Sequence, residues 1–285
     1  METTEPVLTS KNVILKNLYR NGNKVPMMFR NGELIYHMIE ITPKEQKVLP
    51  NRSYVFNFNA KNYDANTYTI PNENGATLQE NMVWSATTSS VRNNISFNLD
   101  HITIPASAFS AFIYSTTGAN PMNITDAAPS MTMIIKARTT AGTNSYGQSQ
   151  PITGTNSYNL FSNRSNTDGF HLMFRSNNKA WIICGGAGYD ASPNSVPVAT
   201  ATTVTLLLRI NNKQVEIKNL TTGVSNTPFT PTFNNPTRIF SFFSSFFASG
   251  NGLAETTSGD FYWCYASREV LTDAEVQQVV DFNEN

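Results

Sequence analysis

Charge is scarce in this chain. Only 14% of its 285 residues are Asp, Glu, Lys or Arg, and 20 acidic side chains match 20 basic ones, for a formal net charge of zero at pH 7. Nucleic acid and anionic membranes are recognised through an excess of cations, so this balance gives no electrostatic basis for either partner. Cysteine is nearly absent: Cys184 and Cys264 each lie in an apolar or aromatic run. That excludes a disulfide scaffold and predicts two buried free thiols, with a bridge between two sheets as the alternative. The three histidines, His37, His101 and His171, form no i,i+4 pair and have no cysteine or carboxylate at ligand spacing, which argues against a zinc site. No window holds the roughly 18 apolar residues of a membrane span. The opening Met1-Glu-Thr-Thr-Glu-Pro6 lacks the apolar stretch of a secretion signal, so the chain is expected to be made in a cytoplasm and not inserted in a membrane.

Polarity comes instead from Asn, Thr and Ser. Residues 1–10 read as a polar, extended arm. Val13–Tyr19, Lys24–Phe29 and Glu33–Ile41 then read as three strands separated by Asn21-Gly22 and Asn31-Gly32. Asn-Gly supplies the positive φ of a type I′ turn, whose twist suits a hairpin. The expectation is a three-stranded meander within residues 1–45, with Pro26 at an edge or a bulge because it lacks an N–H. Such a meander is too small to enclose a core of its own. Its apolar positions, among them Leu18, Val25, Phe29, Leu34 and Tyr36, need a partner surface and are the candidate docking residues.

Residues 46–285 read as one all-β domain. Tyr54–Phe58, Ile95–Leu99, Met131–Ala137, Phe170–Phe174, Ala180–Cys184, Val204–Ile210 and Gln214–Lys218 are short, β-branched or aromatic, and bounded by Asn, Gly, Ser or Pro. Many short strands with turn signals between them predict a sandwich. Asn211-Asn212 is the expected turn between the last two. An aromatic strand follows within 237–247, then a loop over 249–259, then the strand Asp260–Tyr265. Thr272 and Glu275 have the spacing of a capping box, with Leu271 and Val276 at the staple positions around it. One short helix is therefore expected to close the chain.

A terminal strand followed by Leu271-Thr-Asp-Ala-Glu-Val276, the hairpin Val204–Asn219 and the strand around Met131–Arg138 together resemble concanavalin A-like, laminin G-like jelly-roll domains. The meander, with its repeated Asn-Gly turns, resembles short hairpin modules of structural proteins in tailed bacteriophages, such as those of gut Bacteroidales. The resemblance implies a jelly-roll β-sandwich preceded by a small β-meander. It also implies a calcium ion at the rim, as many such domains hold, for which Asp64, Asp100, Asp168 and Asp190 are the loop-proximal candidates, although no ligand spacing marks a site.

Retaining hydrolases on this fold need two carboxylates close together, which a strand supplies at alternate positions. No such arrangement occurs; Asp273 and Glu275 fit a helix first turn, and Asp281 and Glu284 lie at the chain's fraying end. The chain is therefore read as a non-enzyme without catalytic residues or cofactor. Tyr146, Tyr158 and Tyr189 are read as lying in Gly-, Asn- and Ser-rich loops and are the candidate residues for stacking on sugars. Trp84, Trp181 and Trp263 sit in strand-like runs and are assigned to the core.

These features lead to the expectation of a virion structural protein: a capsid decoration, head-fibre or tail-fibre component. The meander would hold other virion proteins, and the sandwich would adhere to host or mucosal glycans. Homo-oligomers fit such a role, although no heptad encodes one. The alternatives are a cellular carbohydrate-binding or adhesion module, and a glycoside hydrolase, against which the carboxylate pattern argues.

Overall fold

The computed structural model describes residues 4–10, 13–20, 23–30, 33–34, 47–64, 66, 69–72, 82–85, 96–104, 112–115, 130–143, 149–151, 157–162, 170–175, 178–184, 195–199, 201–231, 233, 241–242, 244–246 and 253–285. The chain divides into two compact units, Met1–Lys47 and Val48–Asn285.

The first unit is an antiparallel sheet of four strands in sequence order: Thr4–Ser10, Val13–Arg20, Asn23–Arg30 and Glu33–Leu34. The arm expected over residues 1–10 is thus a strand. Its Thr, Pro and Ser residues carry no alternation, and pairing with the hydrophobic second strand supplies what the local sequence lacks. The irregularity falls at Pro6/Leu8 in this strand. Pro26 sits in regular register opposite Asn17, and no strand among the described residues pairs with its other side, since Glu33–Leu34 reaches only Arg30 and Phe29, the edge position a residue without an N–H tolerates. Of the expected third strand Glu33–Ile41, Glu33–Leu34 is observed; Tyr36 and His37 lie outside the described residues.

The second unit is a jelly-roll sandwich. Among the described residues, one sheet has eight strands and the other ten. Long strands dominate the larger sheet: Met131–Thr143 lies between Val204–Asn211 and Leu253–Ser267. In Met131–Thr143 the residues Met133, Ile135 and Ala137 face the main core, and Ile134, Lys136 and Arg138 alternate with them to face away. Leu160, Phe161, Leu172, Ile182 and Phe242 face the same core from the other sheet. Phe242 joins the layers: its ring lies 5.5 Å from Phe161 in its own sheet and 5.5 Å from Phe261 in the other, both edge to face. Such pairs add about 0.5–1.5 kcal/mol beyond burial.

The aromatic run within 237–247 is not one strand. Ser241–Phe242 joins the eight-stranded sheet and Ser244–Phe246 pairs with Leu253–Ser267, because aromatic content marks burial and not which layer is entered. The Gly- and Asn-rich stretch expected as a loop before Asp260 is strand from Leu253 onward, held by Ser244–Phe246 up to Thr256 and by Met131–Thr143 from Thr257. At Gly259, with φ +156, an added Cβ would run into the carbonyl of Arg138, so glycine serves close backbone approach there. The hairpin turn is Asn212-Lys213, at φ 46 and 70, with Asn211 still paired to Gln214.

Cys264 is a buried free thiol, and burial pushes its pKa well up. Cys184 lies in strand Lys179–Cys184 of the other sheet, opposite Phe170. Ile95–Leu99 yields only the edge strand Ser96–Phe97, and Leu99 is 97% exposed. No helix among the described residues is long and apolar enough to cross a membrane.

Candidate functional site

The terminal helix Asp273–Glu284 lies on the outer face of the larger sheet. Its start is encoded locally. Thr272 Oγ1 accepts from the Glu275 N–H at 3.3 Å, and Glu275 returns a 2.8 Å acceptor to the Thr272 N–H. Leu271 and Val276 are both buried, and Val279 completes the apolar stripe against Ile134, Leu207, Trp263 and Tyr265. Arg52 pins the first turn through Glu275 at 2.6 Å and Glu269 at 3.1 Å. At the far end, buried Asn283 donates to Asn57 Oδ1 at 3.1 Å and accepts from Asn59 at 3.2 Å. Trp263 Nε1 donates to Glu284 at 3.2 Å, and Lys136 pairs with the same carboxylate. The end expected to fray is therefore anchored to the sheet.

Pinning the helix leaves an open groove of about 480 Å³ beside the hairpin of Val204–Asn211 and Gln214–Asn219. Leu220, Val276 and Val280 give it apolar walls; Lys218, Thr221, Asp273 and Gln277 give it polar ones. Asn219 shapes the loop at its edge. Its Oδ1 accepts from the N–H groups of Thr221 at 3.0 Å and Thr222 at 3.3 Å, and its amide donates to Pro197 O at 2.9 Å. Gly223 takes φ +77 and donates to Asn219 O at 2.7 Å, the left-handed turn that favours glycine. Thr221 Oγ1 accepts from Thr205 N at 3.1 Å, tying loop to sheet.

Charge at the groove is internally balanced. Arg209 donates to Asp273 at 2.6 Å and to Glu216 at 2.9 Å, and Lys218 lies 3.8 Å from Asp273. The Arg209 hydrogen bond is the main cause holding the Asp273 carboxyl below its ordinary pKa. Arg209 Nε is buried without a hydrogen-bond partner. The arrangement offers donors, acceptors and apolar surface without net charge.

A second polar cluster occupies the same outer face. Asp260, its side chain 2% exposed, accepts from Arg138 Nε at 2.6 Å and Thr103 Oγ1 at 2.8 Å. His101 Nδ1 lies 2.7 Å from Asp100 Oδ1, and Asn98 Nδ2 lies 2.9 Å from His101 Nε2. Tyr262 takes His101 at 4.9 Å between rings and Lys136 Nζ at 5.1 Å from its centroid. These groups bind one another. Among the described residues no three His, Cys, Asp or Glu gather as a metal site. Asp64 caps the Asn66 N–H at 2.8 Å; Asp168 and Asp190 lie outside the described residues.

The stacking tyrosines are not brought together by what is described. Tyr158 lies in strand Ser157–Ser162 opposite Phe174 and not in a loop, because Tyr-Asn-Leu-Phe continues into sheet pairing. Tyr146 and Tyr189 lie outside the described residues. Trp263 packs between sheet and helix, and Trp181 is buried with Met173 away from the main core. Of the docking positions, Phe29 pairs with Leu34 and Leu18 with Val25. The groove residues were missed because strand Gln214–Asn219 and the helix meet only in the fold. The signal available was the Asn219-Leu-Thr-Thr-Gly223 turn.

No protein-family model matches the sequence, and no curated protein matches it. Solved structures match on fold. The binding domain of botulinum neurotoxin serotype D/C VPI 5993 aligns with a TM-score of 0.51 at 10% identity, over 81% of this chain and 52% of that one. Trypanosoma rangeli sialidase, in complex with 2,3-difluorosialic acid as the covalent intermediate, aligns with a TM-score of 0.52 at 9% identity, over 98% of this chain and 44% of that one. The chain thus spans about half the length of these two structures. The likeness shows a shared β-sandwich architecture, found both in a binding domain and in an enzyme.

Proposed function

We propose that this chain is a structural protein of a tailed-bacteriophage virion, anchored through Met1–Lys47 and displaying the sandwich as an adhesion domain for surface glycans. One observation carries the anchoring half. In the antiparallel register, Ile14 faces Phe29, Lys16 faces Met27, Leu18 faces Val25, and Phe29 faces Leu34. Apolar residues thus stand at paired positions of a separate four-stranded unit. A sheet this small and this apolar needs a second surface, and a particle subunit supplies one. Sequence resemblance to phage hairpin modules supports the same reading.

The adhesion half rests on the sandwich. Its outer face offers a groove with balanced charge. Its buried carboxylate is held by Arg138 and Thr103, an arrangement that suits binding better than hydrolysis. The partners are other virion proteins and a glycan, with neither nucleic acid nor membrane required. The test is co-sedimentation of tagged full-length chain with particles lacking it, beside a variant carrying Leu18→Asp and Phe29→Asp. Full-length chain is expected to co-sediment and the variant to stay in the supernatant. Equal co-sedimentation of a variant with an intact sandwich melt would overturn the anchoring role.

A further inference from the structure

The groove between the terminal helix and the 219–223 loop is suited to one ligand class. We propose that it is a binding site for a neutral pyranose unit of a glycan. The inference rests on the adhesion reading above and names its site and ligand.

Four observations lead there. First, the volume of about 480 Å³ lies in the range of small-ligand pockets, roughly 300–1,000 Å³. Second, the walls match the two sides of a sugar ring. Leu220, Val276 and Val280 present C–H surface, and Thr221, Gln277 and Lys218 line the groove with a hydroxyl, an amide whose nitrogen donates to Asp281 at 2.7 Å and whose oxygen is the group a ligand would meet, and an ammonium. A pyranose has the same division, with axial C–H groups on its faces and hydroxyls at its edge. Third, the charges cancel: Arg209 and Lys218 are met by Asp273 and Glu216. An acidic sugar would be repelled by Asp273, whose side chain is 72% exposed, and would compete with that carboxylate for Lys218, 3.8 Å from it. A cationic sugar would meet Lys218. A neutral ring can accept from Lys218 and donate to Asp273 together.

Fourth, the frame is fixed before a ligand arrives. Asn219, Gly223 and the Thr205–Thr221 bond hold the loop, and the capping box and Arg52 hold the helix. A preformed site loses little ordering entropy on binding. An extended peptide is a poor fit by comparison. Strand Gln214–Asn219 is paired to Val204–Asn211 along its length, and Lys218 and Asn219 pair on the other side with Val224–Ser225, which closes this part of the sheet to strand addition.

The test is an NMR titration of isotope-labelled full-length chain with methyl glycosides of galactose, mannose, glucose and N-acetylglucosamine. Sialic acid and glucosamine serve as the charged comparisons, and a glycan array is run in parallel. A neutral glycoside is expected to shift the amides of Lys218, Thr221 and Gln277. Gln277→Trp, at an exposed helix position, is expected to block the groove and weaken binding by about tenfold or more, with an unchanged melting temperature. Gln277→Ala tests the amide alone and is expected to weaken binding by about threefold to tenfold. Binding that shifts residues elsewhere, with both variants equal to wild type, would overturn the groove assignment and leave glycan adhesion standing. A blank array with no shifts for any sugar would overturn both. Tighter binding of sialic acid or glucosamine than of every neutral glycoside would overturn the neutral class.

Discussion

Asp260 is a charged group in a place that tolerates charge only with company. Its side chain is 2% exposed, and Arg138 and Thr103 supply its hydrogen bonds. Arg138→Ala is expected to leave a buried acceptor short of a donor and to cost about 1–3 kcal/mol, read as a lower urea midpoint at unchanged m-value. A stability within about 0.5 kcal/mol of wild type would show that the carboxylate is satisfied without arginine. Gly259 is a second single-residue constraint. A Cβ there meets the Arg138 backbone carbonyl, which cannot swing aside as a side chain would, so Gly259→Ala is expected to cost about 2–4 kcal/mol. Cys264 is expected to resist alkylation in the native protein and react only on unfolding, because burial disfavours its thiolate; mass-resolved labelling checks this. Little at this scale was legible in advance. Asp260 stood out in the sequence only as the start of an aromatic run. Its arginine lies 122 residues away, and no local pattern encodes that meeting.

Elements were read best where their signals are local. The capping box of Thr272 and Glu275 is a four-residue pattern, and it forms as written. The other end of the same helix was misread as fraying, since Asn283 finds Asn57 and Asn59 more than 220 residues away. The hairpin turn was placed one residue early because Asn211 and Asn212 look alike in sequence; only pairing with Gln214 puts Asn211 in the strand. Lys213, at φ 70, occupies a left-handed position that a β-carbon disfavours, so Lys213→Gly is expected to raise stability by about 0.5–1 kcal/mol. The helix also sets an acid dependence. Its first turn holds the Glu275 carboxyl down at about 2, chiefly through the Arg52 hydrogen bond and then through Thr272. An unfolded glutamate titrates near ~4.3. A depressed folded pKa stabilises fully above that value and loses its contribution as pH falls toward 2. The melting temperature is therefore expected to drop between about pH 4.5 and 2, and less steeply in Glu275→Gln. Parallel acid profiles would place the acid sensitivity in other carboxylates.

At the scale of the whole molecule, composition and turn spacing sufficed for the class. Strands bounded by Asn, Gly and Ser, followed by one capped helix, read as an all-β sandwich, and the solved structures it aligns with share that architecture. The order of strands within the sheets was not legible. The aromatic segment from Ser241 to Phe246 feeds both layers, a choice made by packing partners far along the chain. The division into Met1–Lys47 and Val48–Asn285 gives the functional proposal a direct handle. Removing Met1–Lys47 is expected to leave a sandwich with an unchanged melt that no longer joins a particle. Retained incorporation would move the anchor into the sandwich. Quantitative mass spectrometry of purified phage particles encoding the chain tests its proposed place in a virion. The chain is expected at many copies per particle, in fixed ratio to the capsid protein. Its absence from intact particles, with the chain abundant in the infected cell, would exclude that place.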